Sequence, residues 1–240
     1  MQREERYAPL PVGPPLPGWT PREEPPRQAM DGTWARLEPL DAAAHADQLF
    51  DAFAADKTDR MWTYMFSGPF HERAAFHAWV ESRSQSRDPL FFTIVDRRLG
   101  RATGLASYLR IEPEHGVIEV GHIAFAPALQ RTAAATDAMY LMMKTVFDLG
   151  YRRYEWKCDA LNAASRRAAL RLGFSFEGIF RQAIVYKGRN RDTAWYSVVD
   201  REWPLLDAEF RRWLEPANFD AAGRQRTTLA IAALAAAARM

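Results

Sequence analysis

The chain has 240 residues, 48% of them hydrophobic, so it can bury one sizeable core. Its 32 basic and 30 acidic residues give a formal net charge of +2, which argues against nonspecific nucleic-acid binding as its main role. The single cysteine, Cys158, cannot form an internal disulfide, and the segment Met1 to Tyr7 lacks the apolar stretch of a secretory signal. No apolar run approaches the roughly 20 residues of a membrane helix. We therefore expect a cytoplasmic protein that binds neither nucleic acid nor membrane.

Residues 1–30 are predicted to form an extended arm, because they carry eight of the prolines: Pro9, Pro11, Pro14, Pro15, Pro17, Pro21, Pro25 and Pro26. The apolar residues Leu10, Val12, Leu16 and Trp19 suggest that the arm packs along the surface of a domain. The alternative is a ligand for a signalling module. Residues 31–204 are then the main domain, and 205–240 a helical tail.

The main domain is expected to open with a strand and two helices. Thr33–Leu37 alternates in the manner of a strand, and Asp41 is placed to cap a helix that ends near Ala54. A second helix is predicted from His71 to about Arg83.

An aromatic-rich loop, Met61–Phe70, lies between these helices. It forms either a hydrophobic plug over the core or the wall of a substrate pocket. On the second interpretation Trp62 and Tyr64 line the pocket, with the Tyr64 hydroxyl at its edge.

Three strands follow in sequence. Leu90–Asp96 and Ala102–Ile111 are joined through a turn that contains Gly100, and a further turn leads into Val117–Phe125. Consecutive antiparallel strands that lead into a strand–helix–strand unit predict an α+β fold with a mixed sheet.

The next helix opens at the segment Gln130–Thr136. Its apolar stripe has helical spacing and consists of Ala135, Ala138, Met139, Met142, Met143, Val146 and Phe147. Thr132 is the expected N-cap and Gly150 the expected stop. Unpaired N–H groups at such a helix start can bind an anion, although an ordinary core helix fits the same pattern. Alanine disfavours positive φ, so we expect a regular helix start rather than a left-handed turn.

A second strand–helix pair completes this block. Tyr154–Cys158 reads as a strand, and Asn162 begins a short helix that ends at Gly173-Phe174. The strands Phe174–Gly178 and Ala194–Val199 then flank a basic turn with Arg181, Lys187, Arg189 and Arg191. That turn is either a solvated hairpin tip or an attractor for an anionic ligand. The alanine-rich stretch from Ala230 to Arg239 is expected to be helical, and it packs on the domain, joins a dimer or frays.

Several short patterns carry a family resemblance. Gln130 and Ala135 match the first and last positions of a Gln/Arg-x-x-Gly-x-Gly/Ala loop, with Ala133 in place of the first glycine. Asn162 and Ser165 precede the Gly-Phe pair, and a strand pattern Glu-x-Gly-aromatic appears as Glu119, Gly121 and His122. By the order and spacing of these motifs, the chain resembles the GNAT N-acetyltransferases over roughly Gly32 to Pro204. It is most similar to the branch of RimJ and RimL.

The resemblance implies a central mixed, mostly antiparallel sheet flanked by helices, with a splayed strand–helix–strand core that binds acetyl-CoA. It implies direct transfer of an acetyl group to a primary amine, on a protein N-terminus or a small molecule, by a monomer or a homodimer. Two other interpretations stay open: a CoA or acyl-CoA sensor with weak turnover, and a protein-interaction role for the arm and the tail.

Direct transfer needs a base for the amine and stabilisation of the leaving thiolate, but no covalent nucleophile. Glu119 is the expected base, with His122 as a second candidate on the opposite face of its strand, and Ser165 is expected near the leaving sulfur. No cluster of metal ligands is visible, so no metal is expected. The resemblance assigns cofactor binding to Ile123, Ala124, Phe125, Gln130, Arg131, Thr132, Ala133, Ala134, Ala135, Thr136, Asn162 and Ser165.

Overall fold

A computed structural model describes residues 10–231 of the chain. Within them the helices are α1 (Ala42–Phe53), α2 (Arg73–Ser84), α3 (Ala133–Asp148), α4 (Ala163–Arg171) and α5 (Trp203–Leu214). The strands are β1 (Met30–Asp31), β2 (Ala35–Pro39), β3 (Leu90–Asp96), β4 (Arg101–Glu112), β5 (Val117–Phe125), β6 (Arg153–Asp159), β7 (Ser175–Tyr186) and β8 (Arg189–Val199). None of these helices is long and apolar enough to cross a membrane.

All eight strands form one sheet in the order β1-β2-β3-β4-β5-β6-β8-β7. The pair β5–β6 is parallel and every other neighbouring pair is antiparallel. Helix α3 connects the two parallel strands, as a parallel crossover requires. The predicted α+β fold with a mixed, mostly antiparallel sheet is confirmed.

Two layers of helices cover the sheet. Helices α3, α4 and α5 pack on one face over the larger core, whose fully buried members include Val146, Tyr154 and Phe210. Helices α1 and α2 pack on the other face over a smaller core around Leu49, Phe76 and Phe91. We call these the α3 face and the α1 face. Each buried large apolar side chain contributes about 1.5–3 kcal/mol relative to an exposed one, so both layers stabilise the sheet.

The helix caps follow the sequence. The Asp41 carboxylate accepts from the Ala44 N–H at the start of α1, and Thr132 Oγ1 accepts from the Ala135 N–H at the start of α3. Gly150, directly after α3, has φ of +81°, a conformation that glycine adopts without strain. The expected caps Asp41 and Thr132 are confirmed.

The hairpin β7–β8 is longer than the sequence suggested. Its strands reach the pair Tyr186↔Arg189, so the turn is only Lys187-Gly188, with φ of +48° and +70°. The three arginines therefore lie along the strands, with Arg181 exposed and Arg191 buried, and only Lys187 lies in the turn. Predicting a long charged turn here was wrong, because a hairpin at the edge of a sheet tolerates charged residues within its strands.

The arm contacts the sheet through few residues. The indole N–H of Trp19 donates to the carbonyl of Glu114 at 3.0 Å, and its ring lies over Gly116. Leu10 and Val12 are 84% and 89% exposed, so the expected packing of these two residues is wrong. Met1–Tyr7 and Pro9 lie outside the described residues, as does almost all of the alanine-rich stretch Ala230–Arg239. The division at residues 30 and 204 stays a prediction.

Candidate active site

Strands β5 and β6 separate halfway along their length. They pair only from Val117↔Arg153 to Val120↔Trp156, after which β5 continues to Phe125 and β6 to Asp159 without pairing each other. The outer edges stay paired, β5 with β4 and β6 with β8. We call the resulting gap, between 121–125 and 157–159, the wedge. The backbone groups of the two segments do not pair with each other, which leaves room for an extended ligand between them.

A β-bulge lies at the point where the strands separate. Leu105 pairs with Ala124 and Ser107 pairs with Gly121, so His122 and Ile123 together oppose one residue of β4. His122 has φ of +48°, an unusual value for a residue other than glycine.

The bulge shifts the alternation of β5 by one residue. Before it, Ile118 and Val120 belong to the core of the α3 face, and after it Ile123 and Phe125 pack there. Ala124 belongs to the opposite core. Even-numbered residues of β5 therefore face the α3 side before the bulge, and odd-numbered residues face it after the bulge.

Helix α3 is the next element after β5, and its start lies beside the open end of the wedge. Ala134, Ala135 and Thr136 are buried, Thr132 and Ala133 are half-buried, and Gln130 and Arg131 are exposed. The alanines form the regular helix start that was expected, with α3 beginning at Ala133, whereas Arg131 before the cap has an unforeseen positive φ of +63°. The Gln130 amide donates to the Phe125 carbonyl at 2.9 Å and ties the loop to the strand.

A cation that the sequence did not single out lies at the same helix start. Arg171, at the end of α4, donates from Nη1 to Thr136 Oγ1 at 3.1 Å, and its guanidinium lies 5.2 Å from the centre of the Trp213 ring. The partial positive charge of a helix N-terminus and this guanidinium both favour an anion.

On the α3 face, α4 brings two predicted residues to the wedge. Asn162 Oδ1 accepts from the Ser165 N–H at 3.0 Å and caps the helix. Ser165 Oγ accepts from the Trp156 indole N–H at 2.9 Å. Ser165 also hydrogen-bonds the thiol of Cys158, whose pKa is raised by burial, so this cysteine stays protonated.

On the α1 face, Glu119 belongs to a buried ion cluster. Its Oε2 lies 2.9 Å from Lys157 Nζ and is also bound by Arg110 Nη1. Lys157 Nζ lies 2.7 Å from Glu155 Oε2, and the side chains of Glu119, Lys157 and Glu155 are only 5%, 6% and 9% exposed. Two cations thus share one oxygen of this carboxylate. Oε1 of Glu119 lies beside Gly121, where the wedge begins.

His122 lies on the α1 face as well, and not opposite Glu119 as expected. Its ring contacts Phe91 at 5.0 Å between centroids, and Nδ1 lies 2.8 Å from Ser107 Oγ. Burial, together with the positive charges of Arg83 and Arg110, lowers the pKa of His122 to about 4. The imidazole is therefore neutral at pH 7.

The aromatic loop joins the α1 layer to the open end of the wedge. Trp62 is only 4% exposed and packs edge-on against Phe53 and Phe70, at 5.5 and 5.4 Å between ring centroids. Tyr64 is half-buried and donates its hydroxyl to the Leu161 carbonyl at 3.2 Å. Lys187 Nζ donates to the Trp62 carbonyl at 2.9 Å. Trp62 thus has core contacts, whereas Tyr64 reaches the site.

The predicted residues form two groups on opposite faces of the sheet. Ser165 and Asn162 lie on the α3 face, and Glu119 lies on the α1 face, with the wedge between them. The two cations that bind Glu119, the buried Lys157 and the exposed Arg110, were not foreseen. The polar Lys157 between Trp156 and Cys158 is nevertheless a signal for a second, polar face of β6. In residues 10–231, no group of three or more His, Cys, Asp or Glu is placed to hold a metal ion.

Comparisons with known proteins agree with this geometry. Residues 35–175 match the family model described as an acetyltransferase (GNAT) domain. A GCN5-related N-acetyltransferase from Brucella melitensis is 51% identical with a TM-score of 0.87, over 89% of this chain and 97% of that one. A probable GNAT acetyltransferase from Chromobacterium violaceum is 43% identical with a TM-score of 0.75, over 82% and 100%.

The fold also resembles RimL, a ribosomal L7/L12 alpha-N-protein acetyltransferase solved with coenzyme A. The identity is 20% and the TM-score 0.61, over 72% of this chain and 98% of that one. A comparison with curated proteins gave no match. The family model spans more than half of the chain, and the first two solved structures are similar over most of their length. The chain therefore belongs to the GNAT family and is an N-acetyltransferase.

Proposed function

We propose that the protein transfers the acetyl group of acetyl-CoA directly to a primary amine bound on the α1 face of the wedge. The observation that carries this proposal is the wedge itself. It offers unpaired backbone groups along its edges, and a helix start with a nearby guanidinium beside its open end.

Acetyl-CoA would extend from the start of α3 into the wedge. The N–H groups from Arg131 to Ala134 would bind the pyrophosphate, since they lie at the positive end of the helix dipole. The backbone of Ile123, Ala124 and Phe125 would pair with the pantetheine amides. Asn162 and Ser165 would contact this arm from the α3 face, with the Ser165 hydroxyl near the thioester sulfur.

The acceptor would approach from the α1 face. The amine nitrogen attacks the thioester carbon, the carbon–sulfur bond breaks, and the amine proton passes to a base. Glu119 is that base, through a water, because its Oε1 lies beside Gly121 where the wedge begins. The leaving thiolate takes a proton from Ser165 or from water. Tyr64, whose hydroxyl reaches Leu161 beyond β6, would border the acceptor.

The acceptor is a protein N-terminal amine or a small amine. Two solved structures with a similar fold favour a protein acceptor: RimL is a ribosomal L7/L12 alpha-N-protein acetyltransferase, and one from Vibrio cholerae is a putative ribosomal-protein-serine acetyltransferase. Both are less than 25% identical to this chain, so they supply candidates for testing. We place the reaction in the cytoplasm, in a monomer or a homodimer, with no metal.

Calorimetry with acetyl-CoA, followed by assay of thiol release with a panel of amines, tests this proposal. We expect binding of one acetyl-CoA per chain and thiol release that depends on an amine. Binding without release for any amine would favour an acyl-CoA sensor. No binding of acetyl-CoA would contradict both.

A further inference from the structure

Strand β8 carries three side chains with buried polar atoms that have no hydrogen-bond partner among residues 10–231. These atoms are Arg191 Nε, Thr193 Oγ1 and Trp195 Nε1. Arg191 and Thr193 are only 6% and 3% exposed. The remaining atoms of this kind are dispersed over the arm, β3, β6 and the loop before β6. A buried donor without a partner costs about 1–3 kcal/mol, so three on one strand indicate a missing ligand.

The three side chains share the α1 face of the sheet with the ion cluster. They occupy alternate positions of β8, whereas the intervening Ala194 and Tyr196 lie in the core of the α3 face. Trp195 pairs with Lys157, and Lys157 Nζ lies 3.8 Å from the centre of the Trp195 ring. The row therefore begins at the level of Lys157, passes Asp159 at the open end of the wedge, and ends at Arg191.

Arg191 is the charged member of the row. Its guanidinium lies 5.3 Å from the centre of the Phe66 ring and 5.8 Å from that of Tyr186, and it makes no ion pair among the described residues. The nearby carboxylate of Asp159 accepts hydrogen bonds from the Tyr186 hydroxyl and the Leu161 N–H, each at 2.8 Å. Within the part of the chain that the structure describes, Arg191 thus forms no direct ion pair under the aromatic loop.

We propose that this row binds an oxyanion, a carboxylate or a phosphate, that the acceptor carries in addition to its amine. The guanidinium of Arg191 binds the charge, and the Thr193 hydroxyl and the Trp195 N–H donate to oxygens of the chain that joins the oxyanion to the amine. This inference rests on the proposed function, because it places the amine at the wedge.

The spacing of the row sets the length of the acceptor. Same-face residues of a strand are about 6.6 Å apart, so Arg191 lies about 13 Å along β8 from the level of Trp195. An acceptor with several bonds between amine and oxyanion spans this distance, as a short peptide does at about 3.3–3.6 Å per residue. Free glycine is too short.

The test measures binding by calorimetry, using the full chain with and without saturating CoA. The probes are glycine, diglycine, triglycine and tetraglycine, each as the free acid and as the C-terminal amide, together with phosphoethanolamine and ethanolamine. We expect one peptide acid longer than glycine to bind about tenfold more tightly than its amide, as a charge-assisted bond provides. Tighter binding of phosphoethanolamine than of ethanolamine would contradict the length argument, because its amine and phosphate are too close together to span this distance.

The variant Arg191→Gln should abolish this preference, whereas Arg181→Gln, the same change on an exposed arginine of the same hairpin, should keep it. If Arg191→Gln fails to fold, Thr193→Val removes one donor at constant shape and should weaken the preferred anion by about fivefold. Equal binding of anionic and neutral probes at every length would overturn the inference. A preference for the acid that survives in Arg191→Gln as well as in Arg181→Gln would also overturn it. An oxyanion preference without thiol release would instead refute the proposed transfer and leave the oxyanion site standing.

Discussion

Glu119 and His122 lie on the same face of the sheet. They are three positions apart in strand β5, so regular alternation would place them on opposite faces. The bulge opposite Ala106 and the positive φ of His122 shift the alternation by one residue. Both base candidates therefore face the side on which we place the acceptor. Their chemical states differ: the Glu119 carboxylate lies between two cations, and the His122 imidazole is neutral.

Glu119→Gln should lower kcat on the order of 10²-fold, because it removes the proton-accepting carboxylate while keeping its shape. The KM for acetyl-CoA should stay unchanged. The matched control is Glu155→Gln, which removes the other carboxylate on Lys157. Steady-state kinetics would show the difference. An equal loss in both variants would mean that Glu119 acts only through the ion cluster.

His122 should make the fold sensitive to acid. The unfolded chain protonates this imidazole near pH 6.5, and the folded chain only near pH 4. Between these values the unfolded state binds more protons, so the free energy of unfolding rises with pH and is lost on acidification through this window. The full shift corresponds to about 3 kcal/mol.

The variant His122→Asn, which tolerates positive φ, should flatten this slope in denaturant unfolding at a series of pH values. His115→Gln, on an exposed histidine in the β4–β5 turn, serves as the control. A wild-type slope in His122→Asn would show that other groups cause the acid sensitivity.

Arg131→Glu should weaken acetyl-CoA binding, since it reverses an exposed charge at the start of α3. We expect the dissociation constant to rise about fivefold at low salt, and less at high salt because exposed charges are screened. Calorimetry at two salt concentrations measures this. Arg201→Glu, at the opposite end of the sheet, should bind normally. A wild-type affinity in Arg131→Glu would place the pyrophosphate elsewhere.

The aromatic loop should divide into a structural part and a functional part. Trp62→Ala opens a cavity between Phe53 and Phe70, and should cost about 3–5 kcal/mol of stability in thermal or denaturant unfolding. Tyr64→Phe loses a single exposed hydrogen bond, so its stability should change by less than about 1.5 kcal/mol while the acceptor KM rises. An unchanged acceptor KM in Tyr64→Phe would make the whole loop a core plug.

Much of the fold could be read from the sequence because the signals are local. The bounds of β3 and β5 follow from apolar runs between turn residues, and the caps Asp41, Thr132 and Asn162 act on residues only three positions away. The exposed hairpin β7–β8 was underestimated, since its charged residues mask the strand pattern.

The candidate site was harder to predict because it depends on contacts distant in sequence. The pairing of Lys157 with Glu119 joins two strands, and the contact of Arg171 with Thr136 joins two helices. The bulge did leave a signal in the sequence. The large apolar residues of β5 stand at even positions, Ile118 and Val120, and then at odd positions, Ile123 and Phe125. A break in alternation within one strand predicts a bulge.

A crystal structure of the protein with coenzyme A tests the central claim most directly. We predict pantetheine density in the wedge, hydrogen-bonded to the backbone of Ile123–Phe125, with the pyrophosphate on the N–H groups from Arg131 to Ala134. The sulfur should lie between Ser165 on one face and Glu119 on the other. Coenzyme A bound elsewhere, with the edges of β5 and β6 free of ligand, would contradict the account.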